Sequence, residues 1–278
     1  MSRTPRRIGI AALFALALGA CTTVPAPPVS PAEVGDLRLA PGRGLVNGYL
    51  DPKALPNSLA LLPPPPADGS AQAAADLDTY RATRALRGSP RWNLATQDAN
   101  LRFPAAADTF ACALGVPVSA EATPNLNMLL RRSLTDAGLA TYAAKDHYQR
   151  TRPFVALKES TCTPAEEAEL TTDGSYPSGH ASLGWAWALV LTEVAPERTD
   201  ALLARGYAFG QSRVICGVHW QSDVVAGRVT GAAAVARLQT DPTFTAQVAR
   251  AREEVAAART RGATPGRDCA AEAAALAR

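Results

Sequence analysis

The sequence predicts an all-α fold, a bundle of helices. Three observations carry this reading. Apolar residues recur at spacings of three and four in several long segments, strand-like alternation is scarce, and a hydrophobic content of 47% over 278 residues is ample for a sizeable core.

Residues 1–20 read as an export signal: Arg3, Arg6 and Arg7 form a basic start, "IGIAALFALAL" a short apolar centre, and "LGAC" sets small residues ahead of Cys21. The pattern looks like a bacterial lipobox. It implies cleavage before Cys21, lipidation of that cysteine, and contact with the membrane through the lipid anchor only. The plainer alternative is an ordinary cleaved signal beside an incidental cysteine. Thr22, where an Asp would favour the inner membrane, points to the periplasmic side of the outer membrane. Residues 21–47 are rich in Pro, Ala and Val without periodicity, as in an extended tether.

"LLPPPPADGS", 61–70, is non-helical, because proline fixes φ and has no N–H to donate. The texture turns helical at Ala71, and "AQAAADLDTYRATRALRG" stops at Gly88, a candidate left-handed cap. "NLNMLLRRSLTDAGLATYAAKDHYQR" reads as one long helix ending near Arg152-Pro153. Further helices are predicted over 179–195, 197–211, 222–239 and 243–258, followed by a "GATPG" loop and a short alanine-rich tail. "LGWAWALVLTEVA" is too short to span a bilayer and is interrupted by Glu193.

The formal charge of +3 belongs to the signal, since loss of residues 1–20 removes three arginines and leaves 25 basic against 25 acidic residues. No basic stripe with interleaved aromatics occurs, so nucleic acid is not an expected partner. Beyond Cys21 four cysteines remain, an even number in a chain bound for an oxidising compartment. Three pairings are open. Cys162 and Cys216 lie near the motifs described next and Cys112 and Cys269 lie outside them, so one bridge within each set is expected. With three histidines and no CxxC, no metal site is expected.

All three histidines fall in or beside three short motifs. In "KDHYQRTRP", Lys145 and Arg152 are seven residues apart, nearly two helical turns, and could point the same way. In "GSYPSGHAS", Ser178 and Gly179 open a helix whose free N–H groups can hold an anion, with His180 in the first turn. In "SRVICGVHWQSD", His219 and Asp223 are four apart, so a carboxylate could fix the tautomer of a histidine near Arg213. Taken singly, each has a bland reading: a solvated basic face, a serine N-cap, a structural His–Asp pair. Together they supply what metal-free phosphoryl transfer needs. Three cations and backbone donors can stabilise the phosphoryl oxygens, one histidine can attack phosphorus and the other can protonate the leaving oxygen.

KxxxxxxRP, PSGH and SRxxxxxHxxxD, matched at Lys145–Pro153, Pro177–His180 and Ser212–Asp223, resemble the signature of the type 2 phosphatidic acid phosphatase and vanadium haloperoxidase superfamily. Within it, "LLPPPP", "QDANL", "AKDHYQRTRPF", "GSYPSGHASLGWAWALVL", "RGYAFGQSRVICGVHWQSDVVAGR" and "DPTFTAQV" look most like the class A bacterial non-specific acid phosphatases. The resemblance covers residues 48–255, which it defines as the phosphatase domain, with 256–278 as a tail. It implies an all-α bundle with the active site among the central helices, often a homodimer, needing no cofactor and no metal.

The resemblance further implies that Lys145, Arg152 and Arg213 bind the phosphate oxygens, with Ser178 and Gly179 adding donors. His219 becomes the nucleophile, Asp223 its orienting partner, and His180 the acid for the leaving alcohol and then the base for water. The implied substrates are small phosphomonoesters, with phosphate, sulfate or vanadate as site ligands. A vanadate-dependent haloperoxidase, a lipid phosphate or diphosphate phosphatase, and a catalytically silent structural lipoprotein are the alternatives. The chain departs from the family pattern at Ala181, which replaces the usual Thr, in its lipobox, and in Cys112, Cys269 and the tail.

Overall fold

The computed structural model describes residues 25–38 and 44–277. Cys21 and the expected signal lie outside them. The fold is all-α, as the periodicity predicts, and among the described residues the β structure is limited to an isolated bridge between Asp36 and Val46. The principal helices are α1 Ala71–Thr83, α2 Pro90–Asp98, α3 Pro124–Leu139, α4 Tyr142–Tyr148, α5 Gly179–Val194, α6 Thr199–Cys216, α7 Gln221–Leu238, α8 Pro242–Thr260 and α9 Cys269–Leu276.

Helix α5 is the axis of the bundle. It packs most extensively against α6 and α7, and also against α3 and α8. Its sequence explains this position, because Glu193 is its sole charged side chain and apolar or small residues surround it on every side. Trp187 is fully buried against the edges of Phe103 and Phe110, and its indole N–H donates to the Leu130 carbonyl on α3. The α5–α7 contact is close because α7 presents glycine twice on one face. A Cβ at Gly227 would lie 2.5 Å from the Ser178 carbonyl oxygen, and one at Gly231 would overlap the Ser182 carbonyl. Gly227→Ala is therefore expected to cost about 1–3 kcal/mol of stability, read as a lowered denaturation midpoint. The backbone it strikes is that of Ser178, directly before α5 begins.

Two element boundaries and one whole helix differ from expectation. The long helix after Pro124 breaks at Ala140-Thr141, where the Thr141 hydroxyl donates to the Gly138 carbonyl and the chain restarts as α4. Helix α6 continues past 211 to Cys216, because the segment Ser212–Cys216 is buried and keeps its periodic packing. Helix α2 was not anticipated, although its start is legible: the Ser89 hydroxyl accepts the Trp92 N–H, and Pro90 occupies the first helical position.

Two disulfides form, Cys112–Cys269 and Cys162–Cys216, one within each expected set. The first ties α9 to the bundle, where Glu272 pairs with Arg205 of α6 at 3.3 Å. The second fastens the 159–163 loop to the end of α6. There Gly217, at φ +89°, adopts the left-handed conformation that turns the chain towards His219. Within residues 25–47, Leu37 and Val46 are buried and the Val46 carbonyl accepts a hydrogen bond from Thr135 of α3.

Candidate active site

The three motifs converge at the N-terminal ends of α5 and α7. Lys145 comes from α4, whereas Arg152 stands beyond a left-handed turn at Gln149 (φ +43°) and directly precedes the short helix Pro153–Leu157. The two side chains thus leave different elements instead of one helix. They still meet at Asp173, whose Oδ2 is 3.3 Å from Lys145 Nζ and 3.0 Å from Arg152 Nη2. Lys145, Arg152 and Arg213 are all buried.

His219 likewise lies off the helix. It sits in the turn before α7, and Asp223 is in the first turn of that helix, where its Oδ2 accepts the Trp220 N–H at 2.8 Å. The same oxygen faces His219 Nδ1 at 3.4 Å. On the other side of the ring, Arg152 Nη1 approaches Nε2 at 3.1 Å. A guanidinium can only donate, so Nε2 accepts and the ring proton resides on Nδ1, towards Asp223. Burial, together with Arg152, Lys145 and Arg213, holds the pKa of His219 well below its ordinary value, so the ring is neutral and its Nε2 lone pair available in mild acid.

Asp223 is itself held by a residue the motifs did not flag. Arg150 donates to Asp223 Oδ1 at 2.6 Å, to Ser222 Oγ at 2.7 Å and to Asp76 Oδ2 at 2.9 Å, while Asp76 also accepts the Ser222 N–H at 2.8 Å. Burial pushes the Asp223 carboxyl up, and Arg150 and the Trp220 N–H pull against that shift. Arg150 was visible as part of "QRTRP". Asp76, on α1 and 74 residues from Arg150 in sequence, carried no spacing signal.

His180 occupies the first turn of α5, half-buried and stacked on Phe209 with ring centroids 6.3 Å apart. Its Nε2 donates to the Ala99 carbonyl at 3.0 Å, which leaves Nδ1 as the nitrogen able to exchange a proton. Burial and Arg213 keep its pKa well below the ordinary value. Ala99 follows directly on Asp98, which is anchored to α6 by Arg205 at 2.5 Å and by the Ser212 hydroxyl at 2.6 Å. Ser212 of the third motif therefore fixes the end of α2 that orients His180.

The groups expected to bind an anion have donors to spare. Arg213 is fully buried, and among the described residues its Nε and Nη1 have no hydrogen-bond partner. Burial and Arg152 lower its pKa to about 10, so it stays cationic in the acid and neutral range. The Ser178 hydroxyl accepts the Ala181 N–H at 3.3 Å and keeps its own proton to donate. The N–H of Gly179 belongs to the first helical turn and has no carbonyl four residues back. A Cβ at Gly179 would meet nothing closer than Thr141 Oγ1 at 3.8 Å, so packing does not demand glycine there, whereas close approach of a ligand to the backbone would. Among the described residues no cluster of His, Cys, Asp or Glu could hold a metal ion. His147 is exposed, rests against Tyr148 and takes no part.

An all-α bundle thus gathers three buried cations, a helix N-terminus and two unlike histidines in one place, and similarity to known proteins shows the family. The sequence model of the PAP2 superfamily matches residues 127–243, a span that contains all three motifs. The chain is 46% identical to the non-specific acid phosphatase of Providencia stuartii over 75% of its own length and 84% of that protein, and 46% identical to that of Salmonella typhimurium over 76% and 84%. An acid phosphatase of Zymomonas mobilis is 41% identical over 74% of this chain and 78% of that protein. The chain belongs to the bacterial non-specific acid phosphatase family of the PAP2 superfamily.

Proposed function

We infer that the protein is an acid phosphatase, a phosphoric monoester hydrolase of broad range, working through a phosphohistidine at His219. Family membership supports the activity. The observation that carries the mechanism is Arg213, a buried cation with two nitrogens that find no partner among the described residues, acting on the same two imidazoles as Arg152. An unpaired buried guanidinium costs several kcal/mol, a cost that an anionic ligand would offset.

The phosphoryl group of the substrate lies among Lys145, Arg152, Arg213, the Ser178 hydroxyl and the Gly179 N–H. His219 Nε2 attacks phosphorus as the ester P–O bond breaks, and His180 gives its proton to the leaving alkoxide. His180 is neutral without ligand. The negative charge of a bound phosphoryl group raises its pKa, so the acid is loaded as substrate arrives, which favours an acid to near-neutral optimum. Phosphorylation leaves a positive ring whose Nδ1–H faces Asp223, and that carboxylate stabilises it. Neutral His180 then takes a proton from water, water attacks phosphorus, and the P–N bond breaks to regenerate His219 and release phosphate.

Two disulfides and an export-type N-terminus support action outside the cytoplasm. We assign Cys21, with its lipobox, as the lipid anchor at the periplasmic face of the outer membrane. No helix among the described residues is long and apolar enough to cross a membrane. The test is a panel of nucleotides, sugar phosphates and p-nitrophenyl phosphate with and without chelator. Hydrolysis across the panel, unaffected by chelator and inhibited by vanadate, is the expected result. Chelator-sensitive turnover, or halide-dependent peroxidation on adding vanadate, would overturn it.

A further inference from the structure

Asp173 stands immediately before "GSYPSGH", outside every motif that suggested the site. Its side chain is 35% exposed, yet its backbone is tightly held. The Ser175 N–H donates to the Arg150 carbonyl at 2.8 Å, and a Cβ at Gly174 would lie 2.9 Å from the Lys145 carbonyl. Asp173 and Gly174 together offer four acceptor contacts to two cations. Arg152 Nε donates to the Asp173 carbonyl at 2.9 Å and its Nη2 to Oδ2 at 3.0 Å, while Lys145 Nζ donates to the Gly174 carbonyl at 2.5 Å and faces Oδ2 at 3.3 Å. Among the described residues Asp173 is the one carboxylate paired with either cation.

The donor count gives this arrangement its meaning. An ammonium has three N–H groups and a guanidinium five. Contacts with residues 173 and 174 occupy two on Lys145 and two on Arg152, and they fix the direction of those that remain. Arg152 Nη1 is further aligned by the Val218 carbonyl at 3.0 Å and by His219 Nε2 at 3.1 Å. When phosphorus reaches Nε2, that last N–H is released towards a phosphoryl oxygen.

We propose that Asp173 is a positioning residue of the phosphate site: its carboxylate clamps Lys145 and Arg152 side by side and turns their remaining N–H groups towards the phosphoryl oxygens. The proposal rests on the assignment of these two cations as phosphate ligands. Two buried cations repel each other, and the carboxylate between them offsets that repulsion and keeps Lys145 in its ammonium form. The charged and titratable groups acting on Lys145 are Arg152 from the loop after α4, Asp173 from the loop before α5, His219 from the turn before α7, and Asp223 from α7. Burial and Arg152 bring the pKa of Lys145 down to about 8, against the pull of Asp173.

The probe is inorganic sulfate, which stays a dianion throughout the range. Its affinity is read from thermal stabilisation and from inhibition of p-nitrophenyl phosphate hydrolysis between pH 7 and 9, a window above that in which a bound anion loads His180 with a proton and below the pH of about 10 at which Arg213 would lose its charge, using the full chain. Wild-type affinity should decline above a pH of about 8 as Lys145 loses its proton. In Asp173→Asn that decline should begin about one pH unit lower, making sulfate binding about tenfold weaker than wild type at pH 9, because an opposite charge within 4–6 Å shifts a pKa by roughly 1–3 units. Asp173→Glu should restore most of the shift, which loss of a merely structural contact would not predict. Lys145→Met should show no decline at all. Asp173→Ser carries the same expectation as Asn should that variant not fold. An unshifted decline in the neutral variants, tighter sulfate binding by them at pH 7, or a decline that persists in Lys145→Met would overturn the clamp. Absence of phosphatase activity in the wild type would refute the proposed function and leave the sulfate titration intact, so the two failures are distinguishable.

Discussion

His219→Ala is expected to lower turnover by about 10⁴-fold or more, and to abolish any phosphoenzyme trapped by alkaline quench during hydrolysis of p-nitrophenyl phosphate. The size of the effect follows from the shape of the site. His219 Nε2 faces Arg152 Nη1 at 3.1 Å, its Nδ1 faces Asp223, and among the described residues no other imidazole has this setting, His180 being turned by its bond to Ala99. Water entering the space left by the ring would lack both the aligned lone pair and the carboxylate that stabilises the phosphorylated ring. The three cations stay in place, so the variant should still be stabilised by sulfate. That separates loss of the nucleophile from loss of the fold. Retained hydrolysis by a sulfate-binding His219→Ala protein would sink the phosphohistidine assignment.

Arg213→Met should move activity and stability in opposite directions. The side chain is fully buried, two of its nitrogens have no partner among the described residues, and burial and Arg152 already disfavour its charge. Replacing a poorly compensated buried ion by an apolar residue of similar volume often stabilises a protein by about 1–4 kcal/mol, so the denaturation midpoint of the ligand-free variant should hold or rise. Turnover should fall by about 10²–10³-fold, the usual cost of removing one pre-aligned donor from a developing anionic charge. The stabilisation that sulfate or phosphate gives the wild type should shrink with it. A variant that loses activity and also unfolds more easily would mean that Arg213 is structural, with partners inside the protein.

Such a divergence is expected of a site that leaves a buried charge uncompensated for its ligand. Asp98, Asp76 and Arg150 are the compensating side: each charge has a partner, and the networks they form hold His180 and Asp223 without touching a substrate. Arg213 and the N-terminal amides of α5 are the uncompensated side.

Much of this protein is legible in its sequence. Helical periodicity with scarce strand alternation determined the fold class, and three motifs named the cations and histidines. Those signals are local, since each depends on residues within a turn or two of one another. What only the tertiary structure decided depends on contacts between distant segments. Asp76 meets Arg150 across 74 residues, and Asp98 meets Ser212 across 114. Local spacing also misplaced two geometries. Lys145 and Arg152 converge through a turn and not along one helix, and His219 meets Asp223 from the turn before α7. The reason is physical: buried charges must be satisfied wherever the packed chain brings a partner, and a partner far away in sequence leaves no periodicity to read. Asp173 is the clearest case, one residue outside a motif, whose place between two cations exists only once α4 and the loop before α5 have packed together.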